Sequence, residues 1–350
     1  MTVVNKTVAE KTRKGKSTIF DVASAAGVSI KTVSRVVNNE PNVRVKTREK
    51  VLTAIQELNY QPNSAARGLS GKRSYVIGLV YENPHEFSYV GDVLNGAIEA
   101  CESEGYALLL RPITLPAENV AESVRQFVTQ TRVDGLVLPA PICDSEEVLA
   151  LLEELNIPFA MLSPKNPRAH AISILCEEEQ ASFELTEYVI KQGHKRIGFV
   201  KGHPDHGASE KRYNGYRRAL KANRITYDSS LVSQGYFDFE SGRKAARKLL
   251  ALAERPTVIL SSNDDMAAGV LYEARETGCQ VPEDLSIVGF DDTPLASHLW
   301  PPLTTVRQPI RRMADSATRL LIKKLRGDEV IDLPELFHCE VIIRGSTTHL

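Results

Sequence analysis

Two short stretches near the start of the chain carry apolar residues at helical spacing. In the first, Val22, Ala23 and Ala26 recur on one face, and Thr18 is placed to cap the helix that they predict. Gly27 is expected to end this helix, because glycine adopts the left-handed conformation without steric cost. The pattern therefore predicts a helix of about two turns that is followed by a tight turn.

The second stretch follows at once. Ser29 is placed to cap a helix whose inner face carries Val33, Val36 and Val37. Two short helices joined by a glycine-containing turn predict a helix-turn-helix, in which the second helix enters the major groove of DNA. An ordinary helical hairpin in a core would explain the valines as well, so that alternative stays open. A third helix is predicted over residues 46–59.

The start of the second helix supplies the residues expected to contact DNA. We expect Ile30, Lys31 and Arg35 to meet base edges, because the first residues of a recognition helix do so. The hydroxyl side chains available for phosphate contacts are Ser29, Thr32 and Ser34.

From residue 75 onward, short apolar runs alternate with amphipathic helical stretches. This alternation predicts parallel sheets with helices on both faces, and there are more runs than one small sheet holds. Two α/β subdomains are therefore predicted. The strands are predicted over residues 75–80, 106–110, 135–138, 158–162, 196–200, 257–261, 286–290 and 304–307. The helices between them are predicted over residues 92–104, 121–131, 146–155, 181–192, 212–222, 241–253 and 266–277.

Charge separates the two parts of the chain. Residues 1–73 contain fourteen lysines and arginines against five acidic residues, whereas the rest contains 29 basic and 39 acidic residues. A basic head on an acidic body is typical of a polyanion-binding domain joined to another domain. The charge therefore favours DNA binding over the helical hairpin in a core.

The composition also bears on the cellular compartment. No apolar run reaches the roughly 18 residues of a membrane span, and the N-terminus lacks the apolar core of a secretory signal. The five cysteines have neither the spacing of a zinc site nor that of a disulfide framework, so all are expected to be reduced. They are Cys101, Cys143, Cys176, Cys279 and Cys339. We expect a cytoplasmic, nucleoid-associated protein.

Motifs of catalysis and cofactor binding are missing from the sequence. The first predicted strand is not followed by a glycine-rich nucleotide-binding turn, and there is no phosphate-loop motif. His194, His203 and His206 match no metal-binding spacing. The acidic residues at 177–179 are expected to form a solvated helix start. Neither enzymatic activity nor a cofactor nor a metal is therefore expected.

Residues 18–38, which read TIFDVASAAGVSIKTVSRVVN, resemble the N-terminal signature of the LacI/GalR family of bacterial transcription regulators. The resemblance continues through residues 45–69 and reappears at residues 261–266, 286–293 and 301–309. It adds Thr18 and Asn38 to the expected DNA contacts. It also implies a hinge helix that carries Ala66 and Leu69, with the leucine as a wedge in the minor groove.

The family resemblance implies a domain layout. A flexible basic tail would span residues 1–16, the DNA-binding domain 17–62, the hinge helix and linker 63–74, and an effector-binding and dimerisation core 75–350. The implied fold is an all-α helix-turn-helix head plus an α/β core of two doubly wound parallel-sheet subdomains, like that of periplasmic binding proteins. Lobe 1 would comprise residues 75–175 and 308–337, and lobe 2 would comprise residues 176–306 and 339–346.

The same resemblance implies an effector site between the lobes, at the carboxyl ends of the strands. Arg212 stands at the family's ligand-binding arginine, and Phe237 at a position whose ring packs on the ligand. Arg212 could instead form a salt bridge between the lobes, and Asp264 could simply cap a helix. The polar residues expected to complete the site follow predicted strands, and they are Asn83, Tyr89, Asn263, Asp264 and Asp291.

The expected partners follow from the family. They are double-stranded DNA with a palindromic operator, a second copy of the chain in a homodimer, and a small-molecule effector, for which a sugar is expected. A repressor of sugar-utilisation genes is the favoured function. A regulator with a nucleobase or sugar-phosphate corepressor and a free sugar-binding receptor stay open as alternatives.

Overall fold

A computed structural model describes residues 17–37, 42–60, 73–82, 88–114, 119–169, 171–329 and 334–350. The chain divides into two compact units, Met1–Ser74 and Tyr75–Leu350. The described part of the first unit is helical, and the second unit is an α/β core with parallel sheets. The predicted fold class is therefore confirmed.

Three helices form the described part of the head. They are α1 (Ile19–Ala26), α2 (Ile30–Val37) and α3 (Val45–Glu57). Their apolar faces enclose a small core, because each helix carries its buried residues at helical spacing. The buried side chains are Val22, Ala23, Val33, Val36, Val51 and Ala54.

The ends of the first two helices match the predicted signals. Thr18 is the N-cap of α1, and its backbone N–H donates to the Asp21 carboxylate at 2.7 Å, which is the bond that the third residue of the helix supplies in a capping box; the Thr18 hydroxyl donates to the same carboxylate at 2.7 Å. Gly27 follows α1 with a φ of 63°, in the left-handed region that favours glycine. Ser29 Oγ accepts the backbone N–H of Thr32 at 3.1 Å and so caps α2.

Lobe 1 of the core is built on a parallel sheet of six strands in the order β11-β5-β4-β3-β1-β2. The strands are β1 (Val76–Glu82), β2 (Ala107–Ile113), β3 (Gly135–Pro139), β4 (Phe159–Leu162), β5 (Ile172–Cys176) and β11 (Glu335–Phe337). The first helices of the core connect these strands, and they are α4 (Ser88–Glu104), α5 (Val120–Thr131) and α6 (Glu146–Glu154). All four residues of β4 are buried, as expected for a central strand covered on both faces.

Lobe 2 is built on a parallel sheet of four strands in the order β7-β6-β8-β9. The strands are β6 (Ile197–Lys201), β7 (Val232–Gln234), β8 (Val258–Ser261) and β9 (Ser286–Val288). A small antiparallel pair lies apart, and it consists of β10 (Thr305–Arg307) and β12 (Glu340–Ile342). The helices are α7 (Glu178–Lys191), α8 (Gly207–Ala222), α9 (Phe239–Leu250), α10 (Asp264–Glu276) and α11 (Pro294–His298).

The helix α12 (Ile310–Arg326) returns the chain from lobe 2 to lobe 1 and packs against α4. The backbone approach is close, because a Cβ on Gly96 would lie 2.1 Å from the carbonyl oxygen of Arg311. Arg319 and Arg326 both pair with Glu104 at the end of α4. Within the described residues, no helix combines the length and the apolar character needed to cross a membrane.

The cysteine prediction is wrong for one pair. A disulfide joins Cys176 and Cys339, which are 163 positions apart in the sequence. The fold brings them together because Phe337 in β11 lies opposite Cys176 in β5, and Cys339 follows two residues later. Both cysteines lie where the chain passes between the lobes, so the bond links two of its crossings. The described free cysteines are all buried, and they are Cys101, Cys143 and Cys279.

Candidate DNA-binding surface and effector site

The first turn of α2 carries exposed side chains that could contact DNA. Ile30 is 40% exposed although it is apolar, and Lys31 beside it is exposed as well. Thr32, Ser34 and Arg35 are half-buried on the same helix. The buried valines hold the other face of α2 against the head, so these side chains lie at or near the surface of the unit.

Some predicted contacts lie outside the described residues. These are Asn38, Ala66 and Leu69 for DNA and Asn83 for the effector. Thr18 and Ser29 are described, and each caps a helix as shown above.

A cleft lies between the two lobes of the core, at the carboxyl ends of strands from both sheets. Its free volume is about 1180 Å³ including the opening to solvent, and small-molecule sites commonly measure about 300–1,000 Å³. Lobe 1 contributes side chains from β1, α4 and the ends of β3 and β4, and lobe 2 contributes side chains from α7, α8 and several strand ends. The predicted effector residues that line the cleft are Tyr89, Arg212, Phe237, Asn263 and Asp291.

Arg212, in the second turn of α8, is the centre of the cleft wall. It is 4% exposed, and its Nη2 donates to Glu178 Oε1 at 2.9 Å. Its Nη1 donates to the carbonyl of Ser262 and lies 3.3 Å from Asp291 Oδ1. The guanidinium carbon stands 3.9 Å from the ring centroid of Phe290, which adds a cation–π contact. Arg212 is therefore held rigidly from several sides.

The prediction of a solvated helix start at residues 177–179 is wrong for Glu178. Its side chain is 1% exposed and lines the cleft, because β5 delivers the first turn of α7 to the boundary between the lobes. Strand β5 was not predicted from the sequence, so the local pattern of residues did not indicate that this acidic run begins at a buried strand end. Glu179, the next residue, points to the surface and pairs with Arg218 at 2.8 Å.

Asp291 follows β9 and is 6% exposed. Its φ of 114° is strained for a residue with a side chain, and such strain is concentrated at functional sites. Gln308 Nε2 donates to Asp291 Oδ1 at 2.6 Å. Burial raises the pKa of Asp291 to about 6, against the lowering effect of Arg212.

Phe237 forms an aromatic part of the wall. A Cβ on Gly202 would lie 2.1 Å from its ring, so glycine is required where the ring approaches the end of β6. Asn263 holds the Phe237 backbone, because its Nδ2 donates to the Phe237 carbonyl at 2.9 Å. The Asn263 Oδ1 accepts the N–H of Met266 at 3.0 Å and caps α10. Asn263 thus positions the wall and also performs the capping role considered for Asp264.

Asp264 does not lie where the sequence analysis placed it. It is fully buried behind the cleft, where it accepts hydrogen bonds from Thr293 and Thr305, and it is absent from the cleft wall. Burial, and then the charge of Asp291, raise the pKa of Asp264 to about 8. The helical turn directs the next residue, Asp265, into the cleft instead.

Side chains from the two lobes meet beside the cleft. His206 Nε2 lies 3.3 Å from Glu82 Oε2, and Lys211 Nζ donates to the Pro164 carbonyl at 3.2 Å. His206 directly precedes α8, and Lys211 lies in its second turn. Tyr89 lines the same cleft, and burial followed by the charge of Glu178 raises its pKa.

The cleft also contains residues that were not among the expected effector contacts. His203, His206, Tyr236 and Gln308 line it in addition to Glu178. Their only sequence signal is that each follows a strand. Across the described ranges, no group of three His, Cys, Asp or Glu side chains is placed to hold a metal ion.

Comparisons with known proteins place both units. Residues 18–63 match the bacterial regulatory proteins of the lacI family, and residues 186–347 match the periplasmic binding protein-like domain. The HTH-type transcriptional repressor PurR of Vibrio atlanticus (strain LGP32) is 33% identical over 337 residues, which cover 95% of this chain and 99% of that protein.

Solved structures of transcription regulators are similar to this chain as well. The lac repressor dimer bound to operator and the anti-inducer ONPF matches with a TM-score of 0.75 at 29% identity, over 95% of this chain and 100% of that chain. A complex of the transcriptional regulator CelR with cellobiose matches with a TM-score of 0.73 at 30% identity, over 94% of this chain and 99% of that chain. These relatives are regulators rather than enzymes. The chain therefore belongs to the LacI family of bacterial regulatory proteins, as a DNA-binding transcriptional repressor with a small-molecule effector.

Proposed function

We propose that the effector is a sugar, and that it binds between the lobes to release the repressor from operators of sugar-utilisation genes. The observation that carries the proposal is the buried cluster of Glu178, Arg212 and Asp291 beside the rings of Tyr236 and Phe237. Sugar hydroxyls donate and accept hydrogen bonds, so they can pair with carboxylates and a guanidinium. The aromatic rings suit the apolar face of a sugar. The likeness to CelR, which was solved with cellobiose, supports the same ligand class.

The contacts between the lobes supply a mechanism for release. The pairs His206–Glu82 and Lys211–Pro164 join the lobes beside the cleft, so a ligand that bridges the cleft favours the arrangement in which they form. A ligand shifts such an equilibrium only by its difference in affinity for the two arrangements. We infer that the two arrangements hold the DNA-binding units of a dimer at different spacings, which couples the effector to the operator.

On DNA, we infer that a homodimer binds a near-palindromic operator, because a two-fold dimer presents two recognition helices to two half-sites. Arg35 is the residue best suited to a bidentate contact with guanine, Lys31 suits guanine or a phosphate, and Ile30 suits a thymine methyl. Leu69 would enter the minor groove at the centre of the site. We infer that the protein acts in the cytoplasm, bound to the chromosome.

A ligand screen tests this proposal. Sugars, sugar phosphates and nucleobases are screened by thermal shift, and each hit is added to a gel shift with an operator selected from random DNA. Arg212→Ala and Asp291→Ala are expected to bind the operator but to lose the ligand response, whereas the surface variant Arg218→Ala keeps it. Full ligand response in both cleft variants would show that the site is misplaced, and hits confined to nucleobases would refute the sugar.

A further inference from the structure

We propose that Glu178 makes the cleft select uncharged or cationic effectors over anionic ones, because it presents to a hydroxyl or ammonium group of the ligand a buried carboxylate oxygen that accepts no hydrogen bond from the described residues. This inference rests on the proposed effector site and deepens it. It names the charge class of the ligand and the residue that sets it.

The two oxygens of Glu178 are in different situations. Oε1 accepts a hydrogen bond from Arg212 Nη2 at 2.9 Å. Oε2 is buried and receives no hydrogen bond from any described residue, although the side chain lines the cleft. Lys211 Nζ forms an ion pair with Oε2 at 3.6 Å, which is too long for a hydrogen bond, and it donates a hydrogen bond to the Pro164 carbonyl. A buried acceptor without a donor is costly, so this oxygen is the place for a ligand donor.

Arg212 carries a hydrogen-bond donor that the described residues also leave unsatisfied. Its Nε is also buried without an acceptor among the described residues, while its Nη atoms are occupied by Glu178 and Ser262. Glu178 Oε2 and Arg212 Nε are therefore an acceptor and a donor that no described residue satisfies. A hydroxyl can both donate and accept, whereas a phosphate or carboxylate oxygen can only accept.

The charge of the cleft points the same way. Its described lining residues include five carboxylates against one arginine and the two histidines His203 and His206, and Lys211 pairs with Glu178. The carboxylates belong to Glu82, Glu178, Asp238, Asp265 and Asp291. Arg212 is already shared between two of them, so it has little positive charge left for an anionic ligand. Such a ligand would meet like charges at close range in a poorly hydrated site.

Matched ligands test the inference with the full chain. The probes are glucose, galactose and cellobiose, the 6-phosphates and uronic acids of the two hexoses, and glucosamine and galactosamine. Hypoxanthine and inosine monophosphate form a pair outside the sugars. Binding is measured by calorimetry in wild type, Glu178→Gln, Glu178→Asp and Glu179→Gln. Glu179→Gln is the matched control, because it removes the neighbouring charge, which pairs with Arg218 at the surface.

In wild type, the neutral or amino ligand is expected to bind at least ~100-fold more tightly than its anionic counterpart. Glu178→Gln preserves the size of the side chain and removes the charge, so this ratio is expected to shrink about tenfold or more. Glu178→Asp keeps the charge and is expected to keep the exclusion of anions even if every affinity falls. Glu179→Gln is expected to leave both affinities unchanged.

Two results would overturn the inference alone, namely an anionic ligand that binds as tightly as its neutral counterpart, or a ratio that Glu178→Gln leaves unchanged. Binding of hypoxanthine but of no sugar would refute the proposal that the effector is a sugar. The preference for uncharged ligands would then be tested by comparing hypoxanthine with inosine monophosphate. Absence of binding by every probe would overturn both proposals.

Discussion

Replacing Arg212 by methionine tests whether the cleft is organised around a buried charge cluster. The arginine is the only described residue that pairs with both Glu178 and Asp291, whose side chains are 1% and 6% exposed. Methionine is long and apolar, so it fills much of the same space without the charge. The variant therefore leaves two buried carboxylates without their shared partner.

Arg212→Met is expected to lower the free energy of unfolding strongly. Removal of one partner of a buried ion pair costs about 3–5 kcal/mol, because the remaining charge stays buried without compensation. Arg218→Met, on the same helix, provides the control. Its partner Glu179 is 42% exposed, and exposed pairs contribute about 0–1 kcal/mol.

The loss should also depend on pH. The pKa of Asp291 is about 6 in the folded wild type, against roughly 3.9 for an unperturbed aspartate. The folded state therefore binds more protons than the unfolded state in this range, and stability falls as the pH rises from about 4 to about 6. Arg212 lowers the pKa of Asp291, so its removal extends this fall to higher pH. The difference between variant and wild type is expected to be larger at pH 7.5 than at pH 5.

Urea unfolding followed by circular dichroism at these two pH values measures the effect. Adding Glu178→Gln to Arg212→Met should restore part of the lost stability at pH 7.5, because it removes one of the two carboxylate charges that Arg212 neutralises in the wild type. Equal losses in Arg212→Met and Arg218→Met would refute the reasoning. A loss that is the same at pH 5 and pH 7.5 would refute the role given to Asp291.

Further predictions concern DNA, the cleft wall and the disulfide. Arg35→Ala should weaken operator binding by about 1–3 kcal/mol and relax one base position, and unchanged selectivity in a binding-site selection would contradict this. Leu69→Ala should reduce DNA bending in a circular-permutation gel shift. Gly202→Ala should displace the Phe237 ring and weaken effector binding in calorimetry, whereas Gly91→Ala, with open space around it, should not. Alkylation of the unfolded, non-reduced protein should label three thiols, and prior reduction should raise the number to five.

Local patterns predicted most of the regular structure. The eight predicted strands correspond to β1–β4, β6 and β8–β10, because each combines a short apolar run with flanking turn residues. The caps at Thr18 and Ser29 and the turn at Gly27 were also readable, since they depend on neighbours within four positions. These features depend on residues that are close to one another in the sequence, so local patterns are sufficient to predict them.

Features that depend on distant partners were missed. Strands β5 and β11 pair with each other although the sequence between them contains most of lobe 2, and this pairing brings Cys176 to Cys339. The same pairing buries Glu178, which its acidic neighbours made look solvated. The predicted helix 212–222 begins five residues late, so the sequence placed Arg212 at a helix start rather than within α8. Resemblance supplied the role of Arg212, but only the fold shows its partners.

The disulfide turns part of the core into a closed covalent ring. The ring runs from Cys176 through the four-stranded sheet of lobe 2, α12 and β11 to Cys339, so a protease that cuts the chain once inside it releases no fragment until the bond is reduced. Closing a loop of 163 residues lowers the entropy of the unfolded chain, which stabilises the fold by about 5 kcal/mol in the chain-entropy description. Lobe 2 therefore gains a resistance to unfolding and to cleavage that the head, which lies outside the ring, does not share.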